Sequence, residues 1–379
     1  MTRRCRDELG DALVAVVLGG SLARGQGTVL GGADAPRVLS DIDLYVVRTA
    51  DAPEREATLR ATLRHELDTE GLVLAPLDLA FVDPHYFETL GNALPARQLA
   101  IATRVLYEAP GQAWARPDVL GRPDDPVDPI DAQRLLLNRI AESHLLDAHD
   151  GSEWFAHVHR AKRWIDAPLA WLAANGQYHP ARDVQLSRLE ALGVSWTGPE
   201  RAWLDHGVEV ARDWLTRIAS APLDPETLRC WPGRGEDPVE AVRDWTWPFA
   251  RALFRGVGRE GVEPGETLRE EAARDSSASA DDAATIDDWL RRDPMWHRFR
   301  QARRWHPLAP MAIRPWWRYA LGGAGHERIY AASALLYAGH DEWTHPLDSL
   351  VSDVTPLRSG GGPAIGRLWA DWILGGGRR

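Results

Sequence analysis

Cysteine is scarce in this chain: only Cys5 and Cys230 occur in 379 residues. Two thiols so far apart give neither a disulfide framework nor a cysteine-based metal cluster, and they suit a reducing compartment. Long apolar runs are missing as well. Nothing approaches the roughly 18 residues of a membrane span, and the opening MTRRCRDELGDALV has no apolar signal stretch. The expectation is a cytoplasmic protein without a membrane partner. Lysine is almost absent, because 43 of the 44 basic residues are arginine and the single lysine is Lys162. Tryptophan is absent before Trp114, although the chain holds 18. Basic charge is in deficit overall, with a net −11. That argues against a nucleic-acid partner, since phosphate-backbone binders carry a basic surface. It suits a neutral or cationic small molecule better.

What is present fits a globular protein of two or three domains, with 44% hydrophobic residues. Residues 1–112 alternate strand-like and helix-like segments. Leu13–Leu18 (LVAVVL), residues 42–47, Leu77–Val82 and residues 104–107 read as strands. Residues 53–70 repeat Leu59, Leu63 and Leu67 at helical spacing, with a proline at the start and Gly71 beyond the end. Residues 94–103 read as a second helix. A stretch rich in Pro, Gly and Asp follows at 111–130 and marks a linker. After it strands vanish and tryptophans begin. The expected division is 1–112, a helical domain at 113–255, a polar flexible connection at 256–284, and a last helical section at 285–379.

Two features of the first domain carry chemistry. Gly19-Gly20-Ser21 follows the first strand and precedes a short helical segment, Leu22-Ala23-Arg24-Gly25. Glycine there lets backbone N–H groups approach an anion, and a helix start favours phosphate. Asp41 and Asp43 sit two apart on the second strand. Strand side chains alternate, so both face one side while Ile42, Leu44 and Val46 face the core. Paired carboxylates repel one another, and a hard divalent cation such as Mg²⁺ relieves that repulsion. Asp78 is a third carboxylate, set between apolar Leu77 and Leu79 on another strand. Asp83, followed by Pro84, reads as a turn residue instead.

Together, Gly20-Ser21-x-x-x-Gly25, Ser40-Asp41-Ile42-Asp43-Leu44 and Asp78 resemble the DNA polymerase β-like nucleotidyltransferase superfamily, over roughly residues 10–108. The resemblance implies an α+β fold: a mixed sheet with helices, followed by mainly α-helical domains. It implies two Mg²⁺ ions on Asp41, Asp43 and Asp78, with Asp78 either completing a metal site or acting as general base. It implies a nucleotide held by Gly20, Ser21, Arg24 and Ser40, with ATP or another NTP as donor. The acceptor implied is a hydroxyl of a small molecule of the aminoglycoside or sugar kind. A partner protein as acceptor, and a nucleotide-binding module without turnover, are the alternatives. The chain departs from the family in the length between Ser21 and Asp41. The excess, residues 26–39, reads as a hairpin tip or a flap.

Lys162 lies in a helical pattern with Phe155, Val158, Ile165, Leu169 and Leu172. It falls in the apolar stripe, seven residues from both Phe155 and Leu169. By resemblance to small-molecule nucleotidyltransferases, it would reach the triphosphate from the helical domain as a compact charge. A snorkelling lysine at the edge of a bundle has the same pattern. Pro168 is expected to kink that helix. Tyr178, Arg182 and Arg188 complete a run similar to the helical half of such enzymes. The spacing Arg139-x4-His144 matches the HEPN ribonuclease motif, and in so arginine-rich a chain it is read as coincidence. The tryptophans, Trp164 and Trp171 among them, are expected to pack helices.

Overall fold

The structure, a computed structural model, describes residues 1–31, 37–50, 53–69, 77–91, 93–122, 125–146, 153–179, 181–220, 222–224, 231, 238–256, 264–274, 282, 284–286, 325–337, 343–347 and 355–369. The expected connection at 256–284 lies only partly within them. Trp289, Trp296, Trp305, Trp316 and Trp317 lie outside them.

The chain begins with α1 (Thr2–Leu9), β1 (Leu13–Leu18) and the single-turn α2 (Gly20–Ala23). The hairpin strands β2 (Val29–Leu30) and β3 (Arg37–Val38) come next, then β4 (Ile42–Arg48), α3 (Pro53–Thr69) and β5 (Leu77–Val82). The short α4 (Tyr86–Thr89), α5 (Leu94–Ile101) and β6 (Arg104–Glu108) follow. The main sheet runs β5-β4-β1-β6, with β4 and β5 parallel and the other two pairs antiparallel. The fold class is therefore α+β with a mixed sheet.

Side-chain alternation sorts the sheet into two faces. On one, Leu13, Val16, Ile42, Leu44, Val46, Leu77 and Leu79 pack with Cys5 and Leu9 of α1 and with Leu59 and Leu63 of α3. Burial there pushes the Cys5 thiol up to about 11. On the other, Val14, Ala15, Val47 and Val82 pack with Phe87, Ala96 and Leu99. This second face is where Asp43 and Asp78 stand.

Among the described residues the further α-helices are α6 (Pro129–Leu146), α7 (Glu153–Ala174), α8 (Arg182–Leu192), α9 (Pro199–Ser220), α10 (Pro238–Gly256), α11 (Pro264–Ala272), α12 (Gly325–Tyr337) and α13 (Thr355–Trp369). The chain forms two compact units, and they do not follow chain order. The first takes Met1–Asp131, Gly176–Arg188 and Glu209–Arg234; the second takes Ala132–Asn175, Leu189–Val208 and Gly235–Arg379.

In the second unit, buried tryptophans organise the packing. Trp164 and Trp245 stack with ring centroids 5.6 Å apart, and Trp203 lies 4.7 Å from Trp245. The helix α7 runs on through Pro168. Proline has no N–H, so the carbonyl four residues earlier, that of Trp164, loses its helical donor. The indole N–H of Trp245 donates to that oxygen at 3.1 Å. The same device recurs in α10. Pro248 deprives the Asp244 carbonyl, and the Trp203 indole N–H donates to it at 3.1 Å.

Candidate active site

The backbone sets the first part of the site. At the end of β1, the Gly19 N–H donates to the Asp43 carbonyl at 2.9 Å, which holds the loop against β4. Gly20 follows with φ +67°, a left-handed conformation that favours glycine. Space demands glycine as well: a Cβ there would fall 1.7 Å from Asp43 Oδ2. The Gly-Ser loop and the Asp43 carboxylate are thus in direct apposition. The helix behind the loop is a single turn, so bare backbone rather than an extended helix dipole forms this cradle. Ser21 is half-buried on it.

The carboxylates form the second part. Asp43 on β4 is paired in parallel register with Asp78 on β5. Adjacent strands lie about 4.8 Å apart, so the two side chains rise together from one face. Asp41 precedes β4 in the same phase. Asp41 and Asp43 are half-buried and Asp78 is exposed. Protein crowding around its carboxyl raises the Asp78 pKa, and the Asp41 charge raises it further. The Arg60 guanidinium opposes both effects. Asp43 and Asp78 therefore stand side by side, and the Asp41 charge acts on Asp78.

Among the described residues, no group of three or more His, Cys, Asp or Glu side chains is placed to hold a metal ion on its own. Mg²⁺ is ordinarily bound through one or two carboxylates completed by substrate phosphates, not by an all-protein cage. Asp43 and Asp78, hard oxygen donors side by side, fit a cation that arrives with a polyphosphate.

The other predicted residues divide. Ser40 is buried, and its hydroxyl oxygen accepts a 2.7 Å hydrogen bond from the Thr28 N–H. It ties the base of the β2–β3 hairpin to the residue before Asp41. The long insertion is thus a hairpin at its base, and residues 222–224 extend it: the Leu223 N–H donates to Val29 O at 2.7 Å, and the Gly31 N–H to Leu223 O at 3.0 Å. Arg24 closes α2 and contacts the Gln26 side chain at 3.2 Å. It also acts on the buried phenol of Tyr178. Burial raises the Tyr178 pKa, and Arg24, Arg182 and Arg97 lower it. Arg188 fixes that segment by donating to the carbonyls of Gln177 at 2.8 Å and Tyr178 at 2.9 Å. Lys162 is half-buried on α7 and belongs to the second unit.

The chain matches no family model, no curated protein and no solved structure.

Sequence reasoning missed several neighbours of the carboxylates. Tyr45 continues the phase of Asp41 and Asp43 along β4, so its place was readable. Its ring lies 6.0 Å from that of Tyr86 and 5.7 Å from Phe87. Burial raises both phenol pKa values, and Asp78 adds to each. Arg60 donates to the Leu79 carbonyl at 2.7 Å and lies over the Phe81 ring at 5.6 Å. Nothing in the helical pattern of α3 marked it. Asp83 is the turn residue expected, accepting from the His85 N–H at 2.7 Å. Arg139 pairs with Asp166 at 2.9 Å and Glu142 at 2.7 Å, and His144 bonds the Ser333 carbonyl at 2.9 Å. Those contacts are packing roles. Among the described residues no helix is long and apolar enough to cross a membrane.

Proposed function

We propose that the chain is a cytoplasmic nucleotidyltransferase, moving a nucleoside monophosphate from an NTP, with ATP as donor, to a hydroxyl of a small aminoglycoside- or sugar-like acceptor. Its first unit would carry the polymerase β-like catalytic arrangement. One observation carries this reading: Asp43 stands in register with Asp78, with Asp41 alongside and Gly20 pressed against the Asp43 carboxylate.

In this reading the backbone of Gly20 and Ser21 holds the β- and γ-phosphates, with Arg24 beside them. Asp41 and Asp43 would hold Mg²⁺, and Asp78 would complete that site or take a proton. The metal, when bound, supplies charge neutralisation on the triphosphate. The acceptor oxygen forms a bond to the α-phosphorus while the bond to the bridging oxygen breaks. The acceptor proton goes to Asp78 and pyrophosphate leaves. The raised Asp78 pKa brings it closer to the range of an effective base. The chain itself supplies position and fixed charge. Lys162 is assigned to the γ-phosphate by resemblance alone.

A second reading, nucleotide binding without turnover, is favoured by the lack of a three-ligand metal group among the described residues. Incubation with α-labelled ATP, Mg²⁺ and separate small-molecule and protein fractions decides between them. Label on a small molecule with pyrophosphate release supports the proposal. Label on a protein moves the acceptor to a macromolecule. Bound ATP with no pyrophosphate supports the second reading.

A further inference from the structure

A buried phenol usually finds a hydrogen-bond partner, and where no hydroxyl is needed phenylalanine packs as well. Phe87 does so on the second face of the sheet, where it is 1% exposed and part of the core. Tyr45 and Tyr86 flank it as half-buried residues. Their ring centroids lie 5.7 and 5.4 Å from that of Phe87 and 6.0 Å from each other. Among the described residues neither phenol oxygen has a hydrogen-bond partner, and neither is sealed from solvent. The two hydroxyls therefore serve no contact within the fold.

Their position gives them a use. The sheet order sets β1 with its Gly-Ser loop, then Asp43 on β4, then Asp78 on β5. With the donor phosphates on the loop, the acceptor is left the far side of Asp78, where β5 leads into α4. Tyr45 pairs with Ala80 across β4 and β5, diagonal to Asp78. Its ring also lies against the start of the loop, since a Cβ on Gly19 would fall 3.0 Å from Tyr45 Cε2. Tyr86, on α4, extends this aromatic surface outward, and the Asp78 charge acts on both phenols. Residues 83–89 hold Asp83, His85 and Glu88 and no lysine or arginine, and His85 is paired with Glu88 at 3.2 Å. Aromatic faces hold sugar rings and cations, and this surrounding charge disfavours an anionic acceptor.

We propose that Tyr86, with Tyr45 beside it, is the platform that binds the acceptor, and that the acceptor is a hydroxylated ring carrying an amine. The inference rests on the transferase reading, in which Asp78 faces the acceptor oxygen.

Calorimetric titration of the full chain tests it with two probes: kanamycin, three hydroxylated rings carrying amines, and raffinose, three such rings without them. Kanamycin should bind at least about tenfold more tightly than raffinose. Tyr86→Ala should weaken kanamycin binding about tenfold, and Tyr86→Phe, which keeps the ring, about threefold. With α-labelled ATP and Mg²⁺, both variants should raise the KM for kanamycin and leave the KM for ATP within about twofold. Thermal melts check that each variant folds. Absent kanamycin binding overturns the proposal, as does equal binding of raffinose or binding that both folded variants leave unchanged. Variants that raise both KM values alike also overturn it, because that marks a disturbance of the whole site. Kanamycin binding that depends on Tyr86, without release of pyrophosphate, supports the platform and overturns the transferase reading instead.

Discussion

Gly20 and the Asp43 carboxylate are so close that a single methyl group on Gly20 would fall 1.7 Å from Asp43 Oδ2. The φ of +67° adds a second demand for glycine at the same point. Gly20→Ala is therefore expected to cost about 1–3 kcal/mol in stability. It should also displace Asp43 and abolish ATP binding. Thermal melting and titration with a fluorescent ATP analogue check the two effects separately.

Asp43→Asn removes one donor of the proposed cation site without changing shape. Pyrophosphate release should fall about 10²–10³-fold, the scale of losing one preorganised charge in an active site. The added thermal stability that ATP gives only with Mg²⁺ should vanish. Retained Mg²⁺-dependent stabilisation in the variant would count against this assignment.

Asp78 gives a pH signature with a definite sign. Its folded-state pKa is raised above the ordinary 3.8, by crowding and then by Asp41. A raised acid contributes its stability below the unfolded pKa, and the contribution is lost as pH rises through the folded value. At neutral pH the Asp78 charge is consequently a cost. Asp78→Asn should raise the melting temperature near pH 7, with a gain that shrinks towards about pH 4. Melting curves of both proteins across that range provide the check. Catalysis should fall in the same variant.

Trp245→Phe keeps an aromatic side chain but removes the N–H that serves the Trp164 carbonyl, together with half of the indole. The buried oxygen left behind should cost about 1–3 kcal/mol. Pro168→Ala returns a helical N–H to that oxygen. In the Pro168→Ala background the Trp245→Phe cost should therefore be smaller. A double-mutant cycle by urea denaturation measures the coupling.

Lys162→Met should weaken ATP binding about tenfold, the scale of one charge-assisted hydrogen bond, with little change in stability. Lys162→Arg is expected to restore charge without full affinity, because guanidinium and ammonium differ in shape. Calorimetric titration distinguishes this from a snorkelling lysine, which either change would leave neutral for binding.

Much of the first unit was readable because its signals are local. LVAVVL and LDLAFV became strands with the bounds expected, and Ile42, Leu44 and Val46 took the core face. Asp41 and Asp43 fell on the opposite face for the same reason. What stayed hidden depends on residues far apart in sequence. The group that satisfies Trp164 O at Pro168 comes from Trp245, on another helix. The insertion at residues 26–39 gave no hint that Leu223 would join its hairpin. Arg60 acts on the Asp78 charge from a helix whose pattern records only Leu59, Leu63 and Leu67.

That distant bridge to the hairpin has a consequence in time. Gly31 and Leu223 are 192 positions apart, counting from 31 to 223. At about 5–20 residues per second a ribosome needs about 10–40 s to cover that distance. For that interval the newborn hairpin has an open flank while the rest of the polypeptide is still being made. A chaperone that shields it, or a pause that prolongs the wait, acts on the assembly of this first unit before Leu223 has emerged.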